Sequence, residues 1–420
     1  TLKDLRIISD NSMEKYVDTQ LAPSEIANEI GVSYLLDGSV QKHDDSIRVI
    51  INLINAKNNI QLNSMVFVEE FRNLLTLQGK IAKQVIKELH IEYSQEELIQ
   101  LENNSTDNLE AYNSYIKGRF FWHRRSPEDL INSLKYFKQV IELDSTYSKG
   151  YSGIADVYNI IPFHMNVSTR DSLFGFKNTD SFYNLGEKYA KKALVLDENN
   201  AEAYATLGDI YSSRDMNYKA AENNFKKAIS MNPNYATAHH YYAILLKMLF
   251  RLEEARIEID KAMALNPNSI MMLVESVDLY QCSEQYEEGI LEFSKMIELD
   301  KDKASQYNFL LTNCYNYSGQ GDKFMEMWEA YIKKDGRDKN IEWANGFRNA
   351  YKTSGLQGFR RHHLEYKLKN KTPDAFPTNI AASYARLGET EKALHYLELA
   401  YEENKLGSML FLREIVHFLS

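Results

Sequence analysis

The sequence predicts a small α+β domain followed by an all-α solenoid, and three observations carry that prediction. The first hundred residues alternate apolar and polar positions as strands do, whereas the remainder places apolar residues at helical intervals. In that remainder, polar residues closing successive helical stretches recur at a fixed period. Glycine and proline are few, 18 and 7 in 420 residues, which suits a largely helical chain.

In chain order, LRIIS, YLLDGSVQ, SIRVIINLIN and QLNSMVFV read as strands, with HDDS at 43–46 as the hairpin turn between the second and third. SEIANEI reads as a short helix capped by Ser24 and stopped by Gly31. The stretch FRNLLTLQGKIAKQVIKEL reads as a longer amphipathic helix that turns Leu75, Ile81, Val85 and Leu89 inward. These elements define an α+β domain over 1–95, and 96–107 is expected to be a linker.

From residue 108 the period takes over. IELDSTY, LVLDENN, ISMNPNY, MALNPNS and IELDKDK align on Asp144, Asp197, Asn232, Asn266 and Asp300, which stand 53, 35, 34 and 34 residues apart. The first interval equals the period plus an insertion, placed at 159–183, where a loop on one face is expected. The clearest copy puts Tyr204, Leu207, Gly208 and Tyr211 on one helix face and Ala221, Phe225 and Ala228 on another, before Pro233. This pattern resembles the tetratricopeptide repeat, a helix–turn–helix unit of 34 residues. The resemblance extends over 108–420 as about seven or eight units, the period weakening after 316 and returning at Ile380, Ala381, Tyr384, Gly388, Ala393, Leu397 and Ala400. It implies a superhelix with a concave groove.

DLRIISDNS, SEIANEIGVSYLLDGSVQ, IRVIINLINA and LLTLQGKIAKQV together resemble the TolB-like amino-terminal domain of bacterial signalling proteins, which precedes such repeats. The family's domain opens with a further strand and helix, so this copy is expected to be incomplete, with an unpaired sheet edge. The resemblance implies a sensory or regulatory segment. In that family such a segment follows a membrane span and either a nucleotide-cyclase domain or a winged-helix DNA-binding domain. Its compartment would then be periplasmic in a membrane-anchored protein, or alternatively cytoplasmic. The start at Thr1 and the apolar ending MLFLREIVHFLS suggest sequence missing at both ends.

Composition narrows the function classes. A net charge of -10 and a pI near 5.6 argue against nucleic-acid binding by this segment, since phosphate contacts require an excess of cations. No apolar run is long enough to span a bilayer. Motifs for acyl transfer, nucleotide phosphate loops, dinucleotide binding and zinc proteases are missing, so no enzyme, cofactor or metal is expected. Cys282 and Cys314 form no framework, and the pairs His239–His240 and His362–His363 point apart on a helix.

Two groups of residues remain as candidates. Lys149, Ser152, Asp156, Glu202, Asp209, Thr237, His240, Lys247, Asp278, Asn308 and Tyr315 fall on the concave face of the first helices, where an extended peptide or a partner helix would lie. Phe121, Trp122, Arg124 and Arg125, in IKGRFFWHRRSP, fall where the first repeat meets the α+β domain. In that stretch Ser126, Pro127 and Asp129 read as a helix start. The expected function is a non-catalytic scaffold that binds a protein or peptide partner in the groove. The alternative is the regulatory arm of an adenylate cyclase or transcriptional regulator that binds a small molecule.

Overall fold

A computed structural model describes residues 5–70, 74–94, 106–372 and 375–402 of the chain. Most of the expected linker at 96–107, the side chain of Leu75 and the closing MLFLREIVHFLS lie outside these residues. The chain forms two compact units, the first made of 1–246 with 253–272 and the second of 247–252 with 273–420.

In the first unit, helix α1 (Pro23–Ile30) leads into an antiparallel sheet of β1 (Tyr34–His43), β2 (Ser46–Asn55) and β3 (Ile60–Glu70), in that spatial order. The HDDS turn forms as expected, with Asp44 in the left-handed region. Val49 opposes Phe67 and Ile51 opposes Met65, so one β2–β3 face is apolar. Helix α2 (Leu74–Glu88) covers it through Leu77, Ile81 and Val85. The cap of α1 is Ala22 and not Ser24: the Ala22 N–H donates to Glu25 at 2.7 Å, while the Ser24 N–H donates to the Asn59 side chain. Gly31 does stop the helix, at φ +68°.

LRIIS is not a strand. Its backbone groups are engaged by turns of the repeats: the Asn234 amide donates to the Leu5 carbonyl at 2.8 Å, and the Ser9 N–H donates to the Leu265 carbonyl at 2.9 Å. Asn268 then donates to the Ser12 carbonyl at 2.7 Å, and the Ser12 hydroxyl bonds Asn266. In place of a strand's ladder, this backbone is met by side-chain amides of the NPN turns and by the Leu265 carbonyl.

The repeats of this unit are helix pairs: α3 (Leu109–Arg124) with α4 (Pro127–Leu143), α5 (Ser148–His164) with α7 (Thr179–Leu196), α8 (Ala201–Ser213) with α9 (Tyr218–Met231), and α10 (Ala236–Met248) with α11 (Leu252–Leu265). The insertion contains a helix of its own, α6 (Val167–Phe174), with Phe174 and Phe176 edge-on to Phe182. The residues that set the period have a shared task. Asp144, Asp197 and Asn232 end their helices in extended backbone, and each side chain accepts from the N–H two residues on, at 2.9, 3.0 and 3.0 Å. Close approach of the paired helices depends on glycine. A Cβ at Gly208 would lie 2.7 Å from the Phe225 ring, and one at Gly118 would lie 2.6 Å from the Phe137 ring.

The second unit contains α12 (Ile270–Cys282), α13 (Tyr286–Leu299), α14 (Asn308–Tyr317), α15 (Gly321–Lys334), α16 (Ile341–Asn370), α17 (Pro377–Arg386) and α18 (Thr390–Glu402). The period weakens here because α16 is broken at Ser354 and Gly355, the latter at φ +58° and ψ -148°. The two halves fold back, so that the rings of Phe347 and Phe359 meet at 5.1 Å, whereas twelve residues of straight helix would span about 18 Å. Around them lie Phe324, Trp328, Trp343 and Tyr366. Ile380, Ala381, Tyr384 and Ala393 form the core of the final pair.

Candidate functional site

Three first helices of the first unit share one polar stripe. In α5 it is Ser152, Asp156 and Asn159; in α8 it is Glu202, Thr206 and Asp209. Both sets step i, i+4, i+7, one face of a helix. They join as rungs, each 50 residues apart in sequence: Ser152 donates to Glu202 at 2.7 Å, Thr206 donates to Asp156, and Asn159 donates to Asp209 at 2.6 Å. From α3, Arg119 donates to Asp156 at 2.7 Å and the Tyr115 hydroxyl donates to Glu202 at 2.5 Å. Arg125, in the left-handed cap of α3, lies 3.7 Å over the Trp122 ring and also bonds the Tyr241 hydroxyl of α10.

These charges are held away from water, which sets their proton affinities. Burial pushes Asp209 up to about 6, with the Asn159 bond and the Arg125 charge opposing it. Asp156 is likewise pushed up to about 6 by burial, against the pull of Arg119. Glu202 is half-buried, and Arg119 and Lys149 together hold its carboxyl below the usual range against the opposing effect of desolvation. Two polar atoms beside this network are buried without a hydrogen-bond partner, Asn159 Oδ1 and the Tyr235 hydroxyl. Tyr235 lies near enough to Asp156, Arg119 and Glu202 to be raised by the first and third and lowered by the second.

A pH prediction follows from Asp209. Its native form holds a proton more tightly than the unfolded chain does, so its contribution to stability is present below about pH 4 and is lost as pH rises through about 6. Since Asp209 keeps part of its surface accessible, the expected size is about 1 kcal/mol. Asp209→Asn keeps an acceptor for Asn159, so its melting temperature should exceed that of the parent above pH 6 and match it near pH 4. Thermal melts across that range measure the difference.

The structure therefore brings together Lys149, Asp156, Glu202 and Asp209. His240 lies on α10 with its ring 5.7 Å from that of Tyr241. In the second unit Lys247 is buried against Glu275 at 2.7 Å and against Asp278; burial opposes its charge, but the two carboxylates raise its proton affinity strongly. Asn308 and Tyr315 lie on α14, and the Lys323 ammonium stands 5.2 Å over the Tyr315 ring.

Of the four residues expected at the domain junction, Trp122 is 1% exposed within the core of the first repeats. Phe121 stacks on Tyr136 of α4 at 5.6 Å and 8°. Arg124 faces Asp129 at 3.4 Å, and Arg125 turns to Trp122 as described. Gln78 of α2 and Tyr112 of α3 hydrogen-bond to one another. Ser126 caps α4, accepting from the Asp129 N–H at 3.1 Å.

Sequence reasoning missed Arg119, the cation at the centre of the stripe, and the reach of Arg125. Tyr115, Arg119 and Trp122 do share one face of α3 at steps of four and three, and that spacing was the available signal. His239 serves structure, with one ring nitrogen 2.5 Å from Glu258 and the other 3.0 Å from the Pro233 carbonyl. Among the described residues no group of three His, Cys, Asp or Glu side chains is placed to hold a metal, and no helix is long and apolar enough to cross a membrane.

Residues 201–235, the α8–α9 pair and the turn after it, match the tetratricopeptide-repeat family model. The α8–α9 pair is thus a tetratricopeptide-repeat unit, set among helix pairs of the same kind. Among curated proteins, the chain is 23% identical over 246 residues to the transcriptional regulator HilA of Salmonella paratyphi A, covering 58% of this chain and 41% of that protein. It thus spans about two fifths of the length of the curated relatives it matches. Among solved structures, it is similar to the repeat protein TTC0263 of Thermus thermophilus (16% identity, TM-score 0.37, 48% of this chain and 98% of that one). A tetratricopeptide-repeat protein of Parabacteroides merdae is 12% identical with a TM-score of 0.34, over 74% of this chain and 99% of that one.

Proposed function

We propose that the first unit is a peptide-binding scaffold, and that an extended segment of a protein partner lies along the stripe of α3, α5, α8 and α10. One observation carries the reading: polar groups of both charges converge from three successive first helices while Asn159 Oδ1 and the Tyr235 hydroxyl remain buried and unsatisfied beside them. Buried polar atoms without partners are costly, and a peptide backbone supplies both a donor and an acceptor to relieve them. The rungs hold the first helices in fixed relation, so little ordering cost remains for binding.

The scaffold would serve a regulatory protein of a bacterial signalling system, consistent with the match to transcriptional regulators and with the TolB-like resemblance of the first domain. The alternative, the regulatory arm of a cyclase or transcriptional regulator that answers a small molecule, draws on the same match.

Selection of an extended-peptide library on the full chain tests the groove. Enriched peptides should bind Asn159→Leu at least about tenfold more weakly, a loss of about 1.4 kcal/mol, with the fold intact by circular dichroism. A peptide that binds the parent and this variant equally, or a library from which nothing is enriched, would overturn the assignment.

A further inference from the structure

The second unit contains a cavity of about 800 Å³ that plays no part in the stripe. Half-buried indoles of Trp328 and Trp343 line it, their centroids 5.8 Å apart at 34°. The lining also includes Arg360, Lys367 and Arg386, and among the described residues it contains no carboxylate.

Arg360 is held in place by neutral acceptors. That guanidinium donates to the Asn316 carbonyl at 2.7 Å and to its side-chain oxygen at 2.8 Å, both neutral acceptors. Burial and then the charge of Arg386 lower its proton affinity, as expected of like charges facing one another. An anion placed between them would relieve that repulsion and could accept charge-assisted bonds from both forks. A planar ring attached to it would meet the indole faces, where stacking adds to simple burial.

We propose that this cavity binds a small organic anion with a planar aromatic body, its phosphate or carboxylate between Arg360 and Arg386 and its ring against Trp328 and Trp343. The inference concerns a different unit from the peptide stripe and does not depend on it. Trp122, the third tryptophan, is buried in the first unit, so a change in indole fluorescence reports mainly on Trp328 and Trp343.

The test titrates the full chain with adenosine monophosphate, indole-3-acetate and adenosine, following tryptophan fluorescence and calorimetric heat. At least one anion should bind with Kd below about 1 mM, and raising salt should weaken it. Preference for the nucleotide identifies a phosphate ligand; preference for indole-3-acetate identifies a carboxylate. Adenosine should bind at least about tenfold more weakly than adenosine monophosphate if phosphate is the recognised group. Arg360→Gln combined with Arg386→Gln should weaken the preferred anion at least about tenfold. Failure of both anions to bind, salt-independent binding, or undiminished binding by the folded double variant would overturn the proposal. Should that variant not fold, the salt dependence in the parent chain decides.

Discussion

Arg119→Met is expected to destabilise the first unit by roughly 3–5 kcal/mol, because it strands the buried Asp156 carboxylate and removes the principal cation that offsets Glu202. Arg119 is 13% exposed at its side chain and Asp156 3%, so water cannot replace the lost partner. The drop in melting temperature should be on the order of 10 °C, measured by calorimetry on the unit's transition. Adding Asp156→Leu to Arg119→Met should recover a large part of the loss, since an apolar pair in place of a buried ion pair is often neutral. A single substitution that costs under about 1 kcal/mol would show that the pair is solvated in solution and that the stripe is not a buried network.

Trp122→Ala should cost a similar amount, roughly 3–5 kcal/mol, for a different reason. The indole fills the core of the first repeats among Tyr115, Leu130 and Phe137, and removing it leaves a cavity that fixed helix pairs cannot close. Its Nε1 has no hydrogen-bond partner, so the loss is one of packing and of the Arg119 and Arg125 guanidiniums, 4.2 and 3.7 Å over the ring. Trp122→Phe should therefore retain most of the stability. If Trp122→Ala melts with the parent in calorimetry, the indole does not occupy this core in solution.

Both effects touch residues whose role was only half visible in the sequence. The period was legible because it is enforced locally: Asp144, Asp197 and Asn232 each end a helix and turn the chain with a side chain that bonds two residues ahead. Such contacts need no distant partner, so they repeat at the spacing of the unit. The strands were legible for the same kind of reason, as alternation in SIRVIINLIN reflects which face of β2 meets α2. LRIIS has a comparable composition and was read as a strand. Its backbone is instead claimed by Asn234 and by the Leu265 carbonyl, more than two hundred residues away in sequence.

The stripe follows the same division. Register alone places Ser152 and Asp156 of α5 and Glu202 and Asp209 of α8 on one face, whereas Asn159 and Thr206, which complete two of the rungs, are not among the expected residues. Arg119 escaped notice because its significance lies in Asp156, on another helix 37 residues on, and nothing local to FFWHRR marks the pairing. Arg125 is expected at the junction with the α+β domain, yet in its left-handed backbone conformation the guanidinium lies over Trp122. In the second unit the break at Ser354 and Gly355 that folds Phe347 onto Phe359 has no apolar signature in the sequence.

By itself, then, the sequence determined the helix pairs, their period, the sheet and the side chains available on each helix face, because those depend on contacts within a few residues or on a repeated unit. Only the tertiary structure decided which charges are brought together, where the amino-terminal segment lies and that Arg360, Lys367 and Arg386 line a cavity beside two indoles. Those outcomes depend on desolvation and pairing between residues far apart in the chain, and the strength of each is set by how completely the neighbours exclude water.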